Sequence, residues 1–109
     1  MSRVYITSNR FRKREGEMVP AVDTRPAEKF GVLVSIFDHA MDPCSDDDMS
    51  TAKARLMDFD DEQDFILPSG SPLATLATGL LLRDNGIKMI QVLEWDRFSL
   101  KYHLKVVSL

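Results

Sequence analysis

Between residues 72 and 82 the apolar positions recur at helical spacing. Leu73, Leu76, Ala77, Leu80 and Leu81 fall at i, i+3, i+4, i+7 and i+8, with Ala74 and Leu82 beside them and no charge before Arg83. Such a helix is expected to be mostly buried. Ser71 offers an N-cap oxygen and Pro72 a residue whose missing N–H costs nothing at the first helical position. Asn85-Gly86 supplies the left-handed residue on which helices commonly end. Gly79, in the middle, costs about 1 kcal/mol relative to Ala, so another backbone is expected to pass close to it.

Elsewhere the period is two. Residues 87–95 place apolar side chains in both alternating sets, Met89 and Leu93 against Ile90 and Val92, as in a central strand covered on both faces. Residues 30–37 do the same, with Phe30, Val32, Val34 and Ile36 against Leu33 and Phe37, which again predicts an interior strand. Residues 65–67 suit a short strand. Val4 and Ile6 alternate with Arg3, Tyr5 and Thr7 in a first strand whose partner the pattern does not name. After a hairpin-length loop at residues 96–99, Leu100, Tyr102, Leu104 and Val106 alternate with Lys101, His103, Lys105 and Val107, predicting a strand with one buried face.

Ser45 and Asp48 form a Ser-x-x-Asp cap, and Asp46, Asp47 and Asp48 occupy the positive first turn of a helix predicted over residues 46–58. Cys44 and Met49 fall at the staple positions; Met49, Ala52 and Leu56 form the buried side of a helix on an outer face. Residues 19–29, with Pro20 and Pro26, read as an irregular connector with a helical turn at residues 26–29, and residues 59–64 as a charged connector.

Together these elements predict an α/β (or α+β) fold: one small domain over residues 1–109 with a mixed sheet of about five strands, a β-α-β-α-β core, two helices and a C-terminal hairpin. Residues 1–29 supply a strand and a basic, proline-containing connector, and residues 30–109 the compact core. Ligands of open parallel sheets lie outside the carboxyl ends of the strands. Two loops meet that condition, Asp38, His39 and Asp42 after one strand and Ser69, Gly70 and Ser71 after another.

A chain of 109 residues can bury a core without staples. Its one cysteine, Cys44, excludes an internal disulfide and a multi-cysteine zinc site, and fits a reducing compartment, the cytoplasm. Neither an apolar run of membrane-spanning length nor a signal-peptide pattern is present, so neither a span nor secretion is expected. The overall charge of −3 hides an asymmetry: +3 over residues 1–29, −8 over residues 38–64 and +2 over residues 65–109. An acidic middle would repel a phosphate backbone, whereas the basic arm would attract one.

Candidate chemistry is sparse. At residues 68–72, Gly70 permits close backbone approach and the helix start offers N–H groups to a nucleotide or phosphate through Ser69, Gly70 and Ser71, with Asp38 and His39 facing them. The lysine of a Walker loop and the spaced glycines of a dinucleotide fingerprint are absent. Asp38, His39, Asp42, Cys44 and Asp46 to Asp48 lack the paired spacing of a zinc site, and capping accounts for most of them. The alternation Asp58, Asp60, Glu62, Asp64 fails as a calcium loop because Gln63 and Ser69 stand where Gly and Glu are required. No metal, cofactor or catalytic residue is expected, and no nucleophile stands in a hydrolase pattern with His39 or His103. Arg10, Phe11, Arg12, Lys13 and Arg14 alternate cations with a ring, as nucleic-acid binding requires, although a solvated hairpin tip has the same composition. Trp95, Asp96 and Arg97 could form a recognition corner, and Asp46, Asp47, Asp48, Asp60 and Asp61 an acidic face for a basic partner.

The runs FILPSGSPLATLATGLL, VLEWDR and KYHLKV, with PAVD and PAEKFG upstream, resemble small accessory proteins carried by bacteriophages and prophages, with a Leu-Pro-x-Gly-x-Pro turn, an Ala-rich helix and a Trp-Asp-Arg hairpin. The resemblance implies a product acting inside a bacterial cell by binding a host or phage protein, such as a host factor, a defence component or a polymerase. It favours interaction over catalysis.

Overall fold

Tyr5 and Thr7 carry polar atoms, yet the strand that holds them is interior to the sheet, paired on both sides. A computed structural model describes the chain apart from residues 10 and 21–23, with the backbone alone at 11, 12 and 20. The strands are β1 (Arg3–Ser8), β2 (Phe11–Arg14), β3 (Glu17–Pro20), β4 (Val32–Phe37), β5 (Phe65–Leu67), β6 (Met89–Asp96) and β7 (Lys101–Ser108). A 3-10 helix spans Arg25–Phe30, and the α-helices are α1 (Asp46–Arg55) and α2 (Pro72–Asp84). Five strands form one mixed sheet in the order β4-β1-β5-β6-β7. β1 is parallel to both β4 and β5, β5 is parallel to β6, and only the β6–β7 pair is antiparallel. The expected β-α-β-α-β series is present, but β1 is inserted between its first two strands.

The layers follow from that insertion. The connection from β1 to β4 runs one way along the sheet and those through α1 and α2 run the other, so crossovers of a single hand put them on opposite faces. Tyr5, Ile36, Ile66 and Ile90 accordingly meet Ala52 and Leu56 of α1 and Ala74, Ala77, Leu81 and Leu82 of α2. Val4, Ile6, Leu67 and Leu93 meet Ala27 of the 3-10 helix, with Tyr102 beside them. Residues 26–29, expected as a helical turn, lie inside that short helix. β2 and β3 pair as a separate ribbon around Glu15-Gly16, both at positive φ, the two-residue turn whose twist suits adjacent strands.

The caps form as the residue types require. Ser45 Oγ accepts from the Asp48 amide, and Ser71 Oγ from the Ala74 amide. At the end of α2 the Gly86 amide donates to Arg83 O and the Ile87 amide to Leu82 O, both at 3.0 Å. With Gly86 at φ 86, this is a Schellman closure, and Ile87 and Leu82 join the same core cluster.

Several expectations change; the helix predicted over residues 46–58 ends at Arg55, and residues 19–20 of the predicted connector belong to β3. β4 lies at the sheet edge with Val32 half exposed, because β1 takes the interior place beside it. α2 buries Ala74, Ala77, Thr78, Leu81 and Leu82, leaving Leu73, Leu76 and Leu80 in solvent; three small residues share the core-facing side with two of the five leucines. Among the described residues, no atom beyond the helix's own neighbouring backbone lies within 4 Å of the position a Gly79 side chain would take. Cys44 is exposed, and Met41 joins Met49 against the core in its place. In β7 only Tyr102 of the apolar set is buried, since nothing covers Leu104 and Val106 among the described residues.

Candidate functional site

The loop between β5 and α2 is held from below by β1. Thr7, fully buried, accepts a hydrogen bond from the Ser69 amide at 2.9 Å, lies 3.0 Å from the Ser69 carbonyl oxygen, and meets the Thr75 hydroxyl at 3.1 Å. Gly70 has φ +74, and a Cβ there would fall 2.9 Å from Ser8 Cβ and Oγ. The close approach that this glycine permits is therefore to the end of β1. Ser69 and Ala74 amides are already engaged, by Thr7 and by the Ser71 cap, so the loop presents fewer donors outward than its sequence suggested.

Two clefts flank the loop. The larger, about 640 Å³, is lined by Trp95, Tyr102 and Leu67, by Pro68, Ser69, Gly70, Pro72 and Thr75, and by Pro26. It joins the Ser69-Gly70 turn to the Trp95 corner, two places that the chain separates by 25 positions. The Trp95 and Tyr102 rings meet edge to face at 4.9 Å, while 42% of Trp95 stays exposed. Nothing in the local pattern pointed to Pro26, and Tyr102 was readable only as a core residue of β7.

The smaller cleft, about 370 Å³, gathers Ser8, Asp38, His39, Asp42, Ser71 and Leu73. Here the loops after β4 and β5 meet as the strand ends predict, with Ser8 of β1 between them. Its charge is wrong for an anion. Asp38 accepts from Arg55 Nη2 at 2.8 Å, and that bond, against a partial desolvation, holds its carboxyl below the usual range. Arg55 also donates to the Ser35 and Ile36 carbonyls, so the pair clamps α1 to the end of β4. Asp42 adds a second carboxylate, its Oδ1 accepting from the Cys44 amide.

The acidic residues are largely occupied in shaping loops. Asp48 Oδ2 accepts from the Asp42 amide, Asp60 Oδ1 from the Glu62 amide, and buried Asp64 from the amides of Arg3 and Asp60. Asp46, Asp47 and Asp61 are exposed. Among the described residues no three metal-ligating side chains converge, and no helix is long and apolar enough to cross a membrane.

The tip of the β6–β7 hairpin, residues 97–100, is built by Asp96, whose Oδ1 accepts from the Phe98 amide at 2.8 Å. That bond, with the Ser99 contacts, lowers the Asp96 carboxyl from its ordinary value. The turn throws Phe98 into solvent, 88% exposed, with the Arg97 guanidinium 5.5 Å from its ring centroid. Lys13 and Arg14 are exposed on the separate ribbon; Arg10 and the side chains of Phe11 and Arg12 lie outside the described residues.

A family model described as phage Pam3 gp32-like protein matches residues 2–108. The chain belongs to that family. The matched residues include those of both clefts, the ribbon and the hairpin. No curated protein and no solved structure matches the chain.

Proposed function

We propose that this phage protein is a non-enzymatic accessory factor that binds a protein partner through the Trp95 cleft and the β6–β7 hairpin. The observation that carries this reading is the half-exposed Trp95 lining a largely apolar cleft. Phe98 and Leu100 at the tip and Leu104 and Val106 along β7 extend the apolar surface outward, and Arg97 stacks beside it. Trp and Arg at the centre of an apolar patch are the residue types that dominate binding energy at protein interfaces. The acidic residues 46–48 and 60–61 supply at most encounter steering, because most of their neighbours' carboxylates are engaged in turns and caps. The host or phage partner would meet it inside the bacterial cell.

The test is capture of partners from phage-infected host lysate. Trp95→Ala and Phe98→Ser should each weaken retention of a partner by about 30-fold or more, the effect of losing one hot-spot side chain. Asp46→Asn with Asp47→Asn should leave it nearly unchanged. Retention indifferent to Trp95 would sink the proposal. A second reading, a small polar ligand in the Asp38, His39 and Ser71 cleft, is favoured by the meeting of those residues around 370 Å³. It predicts a thermal shift with small neutral or cationic polar ligands and none with phosphate or nucleotides, whose charge the Asp38 and Asp42 carboxylates oppose, and a flat screen would dismiss it.

A further inference from the structure

We infer that α2 pairs with the α2 of a second copy of this chain, antiparallel about a two-fold axis. The argument begins with Leu73, Leu76 and Leu80, which with Arg83 lie at i, i+3, i+7 and i+10, one stripe of the helix. Leu76 and Leu80 are 61% and 62% exposed, and Leu73 nearly half. Single exposed leucines need no explanation, but three in register along one helix do.

Gly79 is the second, independent observation. Mid-helix glycine destabilises a helix and is usually retained where another backbone comes close. Among the described residues outside its own helical turn nothing lies within 4 Å of its missing Cβ, so no contact among them accounts for it. It adjoins Leu80 and stands three residues from Leu76, where it lets a facing helix settle between the two leucines at short range.

Charge selects the orientation. Parallel pairing would align two helix dipoles and set Arg83 against its own copy. Antiparallel pairing centred near residue 78 puts Leu76 opposite the partner's Leu80 and Arg83 opposite the partner's Leu73. Leu73 lines the small cleft that also holds the Asp42 carboxylate and the Asp38–Arg55 pair, so the Arg83 guanidinium, which also donates through Nη1 to the Leu109 carbonyl of its own chain, meets the Asp42 end of the other copy. A 13-residue helix pair covers less than the about 800 Å² per partner of tight complexes, so the dimer is weak and concentration-dependent. It also leaves Trp95, on the opposite face of the sheet, uncovered in both copies, so that two partner sites result.

Sedimentation velocity of the full chain from micromolar to millimolar concentration tests this. The expected result is a reversible monomer–dimer equilibrium. Leu76→Asp with Leu80→Asp should weaken it by about a hundredfold or more with an unchanged circular dichroism spectrum, since both side chains are already exposed. Gly79→Ala separates the two roles of that position: it should raise the thermal midpoint of the monomer while weakening association by about tenfold, through a methyl wedged between the helices. Arg83→Asp should weaken the dimer, and adding Asp42→Arg should restore it. A monomer at every concentration, or a dimer indifferent to the leucine changes, overturns the inference. Failure of the charge exchange to rescue overturns the antiparallel arrangement.

Discussion

The hydroxyl of Thr7 has three polar atoms within 3.1 Å, the amide nitrogen and carbonyl oxygen of Ser69 and the hydroxyl of Thr75. It ties β1 to the turn between the two clefts, at a depth that water does not reach. Thr7→Val keeps the shape and deletes the group, leaving the Ser69 amide without its acceptor. Unsatisfied buried groups of this kind cost about 1–3 kcal/mol each, and a loss of that size is expected in urea denaturation. The Ser69 amide should also lose its protection from hydrogen exchange; protection equal to the wild type would show that the turn holds without Thr7. From the alternation at residues 3–7 this role is invisible, because Thr7 falls in the set with Arg3 and Tyr5 and reads as solvent-facing. The caps at Ser45 and Ser71 are legible because cap and recipient lie three residues apart; Thr7 and Ser69 lie 62 apart.

For α2, both ends were legible in Ser71-Pro72 and Asn85-Gly86, while its orientation was not. A helix apolar nearly all round offers several faces of similar hydrophobicity, and the one that wins here carries Ala74, Ala77 and Thr78, small enough to lie close on the sheet. The β6–β7 hairpin likewise has its length written in the residues, but the Asx turn at Asp96 fixes what its tip presents. Its acid response tests that role. The Asp96 carboxyl is held below its ordinary value in the folded hairpin, mainly by the Phe98 amide. A lowered folded pKa contributes stability that is present above the ordinary carboxylate range and is lost as pH falls below it. Trp95 is the chain's one tryptophan and borders Asp96, so its emission reports the tip. Between the ordinary carboxylate range and stronger acid the wild-type emission should shift, while Asp96→Asn, which keeps an oxygen acceptor but no charge, should respond much less. Identical titrations of the two proteins would assign the turn's order to packing alone.

The position of β1 sets the molecule as a whole. It brings together the Ser69 turn, Ser8 and the loop after β4, and it gives the sheet two covered faces, one under α1 and α2 and the other under the 3-10 helix. Parallel neighbours are chosen by crossovers and not by adjacent residues, which is why the strand's existence was readable at residues 3–7 and its place was not. Being paired on both sides and buried from Val4 to Ser8, β1 should open only when everything does. Native-state hydrogen exchange measures this directly. The backbone amides of residues 4–8 that bond within the sheet should exchange at the global unfolding free energy, and the β2–β3 ribbon, exposed and outside the main sheet, far faster. α2 should fall between, protected on its Ala74–Ala77–Leu81 side and more labile along Leu76 and Leu80 in the monomer. If β6 outlasted β1, the sheet would be organised around its C-terminal hairpin, and the clefts beside Ser69 would be free to open without unfolding the rest. Exchange of β1 at the global limit, with the ribbon and hairpin tip opening independently, would instead mean that the binding surface moves on a fixed base.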